Sequence, residues 1–150
     1  MGQYLGIASN SMDDSSEKTF AISTFEDLRK FPPEVALQIL SNLNATELCL
    51  AACVWKEMAD SEFLWQSLCY KTWGYLSAYL TLARDPCTSY KKLYMILDEA
   101  SVTFNVDPQK GLNLLFDHDL LVNDPYEIAL FIYSTKMLRS DSKRTLFRRW

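Results

Sequence analysis

Cysteine, histidine, serine and an N-terminal glycine are the residues of this chain whose types invite chemistry. Cys49 and Cys53 fall one helical turn apart, a spacing at which two thiolates could share a metal ion. No Cys-x-x-Cys pair accompanies them and His118 is the sole histidine, so a zinc site lacks its remaining ligands. Cys49, Cys53, Cys69 and Cys87 are therefore expected to be buried, inert thiols. His118 stands between Asp117 and Asp119 without the Gly-x-Ser-x-Gly elbow that would present a nucleophile, and reads as an exposed loop residue. Gly2 would accept a myristoyl group once Met1 is removed, but the motif wants Ser or Thr where this chain has Gly6. One acyl chain anchors only marginally, and Asp13, Asp14 and Glu17 supply no basic second signal. The expectation is a chain with no catalytic residue, no cofactor and no metal, and a weak membrane association at most.

The elements that would position side chains are helical. At 49% hydrophobic and 13% aromatic, 150 residues suffice for one compact domain or two very small ones. No run approaches the roughly 18 apolar residues of a membrane span. Free cysteines without a secretory signal fit a reducing compartment, cytoplasmic or also nuclear, with peripheral membrane contact only if Gly2 is acylated. Charge is unevenly spread: residues 136–150 carry six Lys/Arg against the single Asp141, so the chain's net −4 leaves −9 on residues 1–135. An acidic body argues against nucleic acid as a partner.

Residues 31–74 read as three short helices in succession. Pro32 and Pro33 pre-set a first helical turn and Glu34 favours its positive end; Val35, Ile39 and Leu43, with Leu40 beside them, make an apolar stripe. Asn44 and Glu47 form a capping-box-like pair for the second helix, with Thr46 as the alternative cap. Leu48, Ala51, Ala52, Cys53, Val54 and Trp55 leave that helix little polar surface, so it is expected to pack on more than one side. Asp60 and Ser61 cap a third helix in which Leu64, Trp65, Leu68 and Cys69 share a face, closed by Trp73 and Gly74.

So little chain builds a poor private core, and a partner surface is the economical way to cover its apolar faces. The Pro-x-Glu start, the Ile39-Leu40-x-x-Leu43 run, the Leu48 helix and the Leu64-Trp65 pair resemble an F-box. F-boxes bind Skp1, which links them to a cullin-based ubiquitin ligase, and the resemblance implies that role. It implies Skp1 contacts at Phe31, Pro32, Val35, Ile39, Leu40, Leu43 and Leu48, with Leu64 and Trp65 bracing or completing them. Two departures stand out: Phe31-Pro32 replaces the family's Leu-Pro, and Cys53-Val54-Trp55 replaces Val-Cys-x-x-Trp, with Met58 at the later Trp position.

Beyond Gly74 a loop-like stretch leads to a helix over 89–100, with Tyr90, Leu93 and Leu97 inward and Lys91 and Lys92 outward, and then to a short extended link over 101–106. Asp107-Pro108 and Asp124-Pro125 each place a capping carboxylate before a first-turn proline, with Glu127 completing a capping box. Helices near 108–117 and 125–138 follow, with Leu112, Leu115 and Phe116, then Ile128, Phe131, Ile132 and Leu138, on their inner faces; the short connection makes them antiparallel neighbours. The run from Phe104 through Asp107-Pro108 to Lys110-Gly111, Leu120-Leu121, and Pro125 to Phe131 resembles the opening helices of a Sec7 domain. Sec7 domains are exchange factors for ADP-ribosylation factor GTPases, which implies such a small GTPase as a further partner. The family's Phe-Arg-Leu-Pro-Gly-Glu loop, whose glutamate carries exchange, is missing here; Glu99 and Glu127 read as helix-end residues, so exchange activity is disfavoured.

The expected organisation is all-α: a flexible tail over 1–30, an F-box over 31–74, a linker with one helix over 75–103, partial Sec7-like helices over 104–138, and a solvated basic tail over 139–150. The expected function is a Skp1-binding adaptor, with a Skp1-occupying form that delivers no substrate as the alternative.

Overall fold

The computed structural model describes residues 27–82 and 89–149; Gly2, Cys87 and the remainder of the expected N-terminal tail up to residue 26 lie outside the described residues. Among the described residues the secondary structure is all helical. A 3-10 turn, Leu28–Lys30, precedes α1 (Pro33–Leu40), α2 (Ala45–Ala59) and α3 (Glu62–Trp73). Then come α4 (Ser77–Leu82), α5 (Tyr90–Val106), α6 (Pro108–Asp117), α7 (Pro125–Ser134) and α8 (Ser140–Arg149).

The starts of these helices follow local chemistry. Asn44 Oδ1 accepts from the Glu47 N–H and Glu47 Oε2 accepts from the Asn44 N–H, both at 2.9 Å, so the capping box at α2 is closed and Thr46 is not the cap. Asp107 and Asp124 accept from the first free N–H groups of α6 and α7, each followed by its first-turn proline. At α3 the expected side-chain caps do not form: Ser61 makes none, and the Asp60 carboxylate instead takes Lys91 Nζ at 2.5 Å. Glu127 likewise leaves its own helix end to accept from Ser77 Oγ at 3.0 Å.

Two hydrophobic cores result. The first gathers Leu28, Ala36, Leu40, Leu48, Ala59, Leu64 and Trp65. Leu28 thus belongs to the packed body and not to a flexible tail, with Asp27 accepting from the Arg29 N–H to cap the 3-10 turn. The second runs from Cys69 and Trp73 through Leu93, Leu97 and Phe104 to Leu112, Phe131 and Leu146. Helix α3 serves both cores, giving Leu64 and Trp65 to one and Cys69 and Trp73 to the other.

The joint between the cores is specific. Tyr90 and Tyr94 at the start of α5 pack against both, and the Tyr94 ring meets Trp65 and Trp73 edge-on with centroids 5.6 and 5.0 Å apart. Ser89 makes no side-chain cap for α5; the Glu62 carboxylate of α3 caps it across space, accepting from the Tyr90 N–H at 2.7 Å and Ser89 Oγ at 2.8 Å. Lys91, expected outward, is half-buried, pairs with Asp60 and lies over the Trp65 ring at 5.4 Å.

Several expectations over 75–150 change. The stretch after Gly74 contains α4, held by Leu76, Ala78 and Tyr79 in the second core. The link expected over 101–106 continues α5, because Leu93, Leu97, Ala100 and Phe104 form one buried stripe at helical spacing, and Ser101 Oγ donates to the Leu97 carbonyl. Residues 90–103 are therefore the central helix of the second core and not a linker. The tail over 139–150 is largely α8, pinned by buried Leu146 and by Asn105: its side chain accepts from the Arg139 N–H and donates to the Met137 carbonyl, and its own carbonyl accepts from Ser142 Oγ.

Helix α6 lies chiefly along α5 and next against α8, and is not the expected close neighbour of α7, which ends at Ser134 and not at residue 138. Its own end is a Schellman turn: Leu120 N–H reaches the Leu115 carbonyl and Asp119 N–H the Phe116 carbonyl, with Asp119 at φ 54° in the position glycine usually takes. Among the described residues no helix is long and apolar enough to cross a membrane.

Candidate docking surface

The residues implicated from sequence in docking separate into three sets. Leu40, Leu48, Leu64 and Trp65 are buried in the first core, and the Trp65 indole donates to the Ala59 carbonyl at 3.0 Å. They shape the surface but are closed to a partner; for Leu40 and Leu48 this replaces direct contact with a supporting role. Phe31 and Leu43 are half-buried. Pro32, Val35 and Ile39 are open, the last two 43% and 44% exposed one turn apart on α1.

Sequence periodicity misses the rest of the open surface. Leu50 and Val54 on α2 are 66% and 59% exposed, and Phe63 at the start of α3 is 62% exposed. The expectation that α2 packs on more than one side is not met within this chain: only Leu48 and Ala59 of that helix are buried. A helix apolar all round cannot reveal by periodicity which face will be left bare. Burying such leucine, valine or phenylalanine side chains against a partner is worth about 1.5–3 kcal/mol each.

A groove of about 420 Å³ adjoins this surface, lined by Phe31 and Pro33 on one wall and Val54, Trp55 and Met58 on the other, with Arg29, Lys56 and Glu57 at its polar rim. It opens where α2 kinks at Trp55 (φ −122°, ψ 52°), the residue at which the sequence departs from the F-box order. The Trp55 indole donates to Asp27 Oδ1 at 3.0 Å, fixing the ring. That bond, after the one from the Arg29 N–H, holds the Asp27 carboxyl below its ordinary value of 3.8.

The cysteines offer no metal chemistry among the described residues, where no group of three or more His, Cys, Asp or Glu is placed to hold an ion. Among the described cysteines the expected burial holds only for Cys69, whose thiol is pushed up to about 12 by burial and by the Glu62 charge. Cys49 is half-buried and Cys53 is exposed on the bare side of α2. His118 is exposed at the end of α6.

Comparison with known proteins covers the segment that carries this surface. The family model described as F-box-like matches residues 28–71, the 3-10 turn through most of α3. F-box only protein 8 of Homo sapiens, and that of Bos taurus, are 48% identical over 116 residues, covering 76% of this chain and 35% of theirs. The chain thus spans about a third of the length of these relatives. The aligned span is more than twice as long as the F-box-like segment, so the likeness runs well into the second core. Cytohesin-2 of Mus musculus is 57% identical over 30 residues, 20% of this chain and 8% of that protein. No solved structure matches the chain. Residues 28–71 thus form an F-box-like domain, homologous to that of F-box only protein 8.

Proposed function

We propose that this chain is a Skp1-binding adaptor of a Skp1–cullin–F-box ubiquitin ligase, docking through Pro32 just before α1 and Val35 and Ile39 of α1, continued by Leu50 and Val54 of α2. The observation that carries the reading is the coincidence of the F-box-like match with a helix pair that leaves these side chains bare. Phe31 and Leu43 supply the half-buried margin, while Leu40, Leu48, Leu64 and Trp65 hold the helices in place. The F-box-like domain makes the chain a non-catalytic adaptor, and any ubiquitin transfer belongs to other subunits.

The second core then acts as the substrate-facing half. Its likeness to F-box only protein 8 beyond the F-box, the 30 residues shared with cytohesin-2, and the resemblance of residues 104–138 to opening Sec7 helices support an ADP-ribosylation factor GTPase as the target. The Glu62–Ser89–Tyr90 cap and the Lys91–Asp60 pair hold that half at a fixed attitude to the docking surface, as presentation of a substrate requires. The test is reconstitution with Skp1 and a cullin, followed by addition of the GTPase loaded with GDP or GTP. A ternary assembly that retains the GTPase supports the full reading. Assembly without retention leaves an adaptor for another substrate or a form that only occupies Skp1, and failure to assemble removes the reading.

A further inference from the structure

Helix α8 is held by one side only. Leu146 is buried and Ser142 bonds the Asn105 carbonyl at 2.8 Å. At 3.6 residues per turn these two stand about 160° and 200° around the helix from Arg144. Arg144, Phe147 and Arg148 therefore share the opposite arc, and all three are exposed, Phe147 by 61%. Lys136 and Arg139 are exposed in the turn that enters the helix. Arg144 has one ion-pair partner among the described residues, Asp141 at 3.9 Å, on an open surface where such a pair counts for little.

Solvation and the helix dipole explain part of this pattern. Arg148 and Arg149 suit a C-terminal turn. Lys136 follows the C-terminal end of α7, where a cation is also favoured, but Arg139 lies at the positive end of α8, where the dipole disfavours it, and neither argument accounts for a bare phenylalanine between two arginines.

We propose that α8 docks on an anionic membrane surface through Arg144, Phe147 and Arg148, with Lys136 and Arg139 adding charge. A single convex helix face suits a plane, whereas an extended nucleic acid is tracked by a groove. At the headgroup boundary an aromatic ring is half-immersed while each neighbouring cation meets anionic lipid. The −9 on residues 1–135 repels the same surface, so the contact is made edge-on by α8 and is reversible.

The test is sedimentation of the full, unacylated chain with vesicles of phosphatidylcholine, alone or with about a third phosphatidylserine. The chain is expected to pellet only with the anionic vesicles and to be released by about 0.5 M salt. Arg144→Gln/Arg148→Gln lowers partitioning about 30-fold at one lipid-facing cation each. Phe147→Ser, which keeps the charge, lowers it about tenfold. Far-UV circular dichroism verifies that these exposed substitutions leave the fold intact. No pelleting of the parent chain, equal pelleting with neutral vesicles, or an undiminished double variant overturns the proposal. Phe147→Ser binding unchanged, with heparin displacing the chain, also overturns it in favour of an acidic polymer.

Discussion

Gly111 decides how closely α6 lies on α5. A methyl group at that position would stand 2.6 Å from Phe104 Cα, Cβ and N, a distance real Cβ atoms do not tolerate. Gly111→Ala sets two effects against each other. Inside a helix, alanine gains about 1 kcal/mol over glycine by propensity. Overpacking a closed site costs typically 1–3 kcal/mol, and here the obstacle is mainly backbone, so no rotamer change relieves it and α6 must move off α5. The upper end or more of that range applies, and the net loss is about 2 kcal/mol. In urea denaturation this lowers the midpoint without changing the slope, and in a thermal melt it lowers Tm by about 4–8 °C. Asn113→Ala, exposed on the same helix, stays within about 0.5 kcal/mol. Unchanged or raised stability of Gly111→Ala, the result helix propensity alone would give, refutes the close α5–α6 approach.

Three further outcomes follow from the geometry. Glu62→Ala removes the cross-space cap of α5 and costs about 1 kcal/mol, seen as faster amide exchange at Tyr90 and its neighbours; exchange unchanged there would remove Glu62 as the cap. The Asp27 carboxyl is held below 3.8, so its contribution is complete above that value and is lost as pH falls through the lower folded-state value. The Trp55 Nε1–H resonance should stay fixed from neutrality to pH 4 and move below 3.8, and Asp27→Asn should abolish that step. Mapped by mass spectrometry at pH 8, a maleimide should label Cys53 rapidly and Cys69 only on unfolding; labelling of native Cys69 at the Cys53 rate contradicts its burial.

Helix starts were legible wherever a capping side chain and a proline or glutamate met in sequence, as at Asn44–Glu47, Asp107-Pro108 and Asp124-Pro125. They were not legible where the partner comes from far away: α5 is capped by Glu62, 28 residues earlier, and α8 is fixed by Asn105, 37 residues before Ser142. Residues 101–106 look extended because Val102 and Phe104 alternate with Thr103 and Asn105, yet Phe104 completes the Leu93–Leu97–Ala100 stripe and tertiary burial outweighs the local pattern. The candidate docking surface was half legible. The spacing of Val35 and Ile39 marked an apolar strip but put Leu40 on it, whereas Leu40 turns to the core; Leu50 and Val54 were hidden in a helix apolar on every side.

The most direct test of the adaptor account is calorimetric titration of Skp1 into the chain and into Val35→Asp/Ile39→Asp. Both side chains are more than two-fifths exposed, so the variant keeps its fold, verified by an unchanged thermal melt, whereas Leu40 substitutions would perturb the core as well. One-to-one binding by the parent chain, weakened at least about 100-fold in the variant, is the predicted result. No binding by the folded parent chain, or equal binding by both, would contradict it.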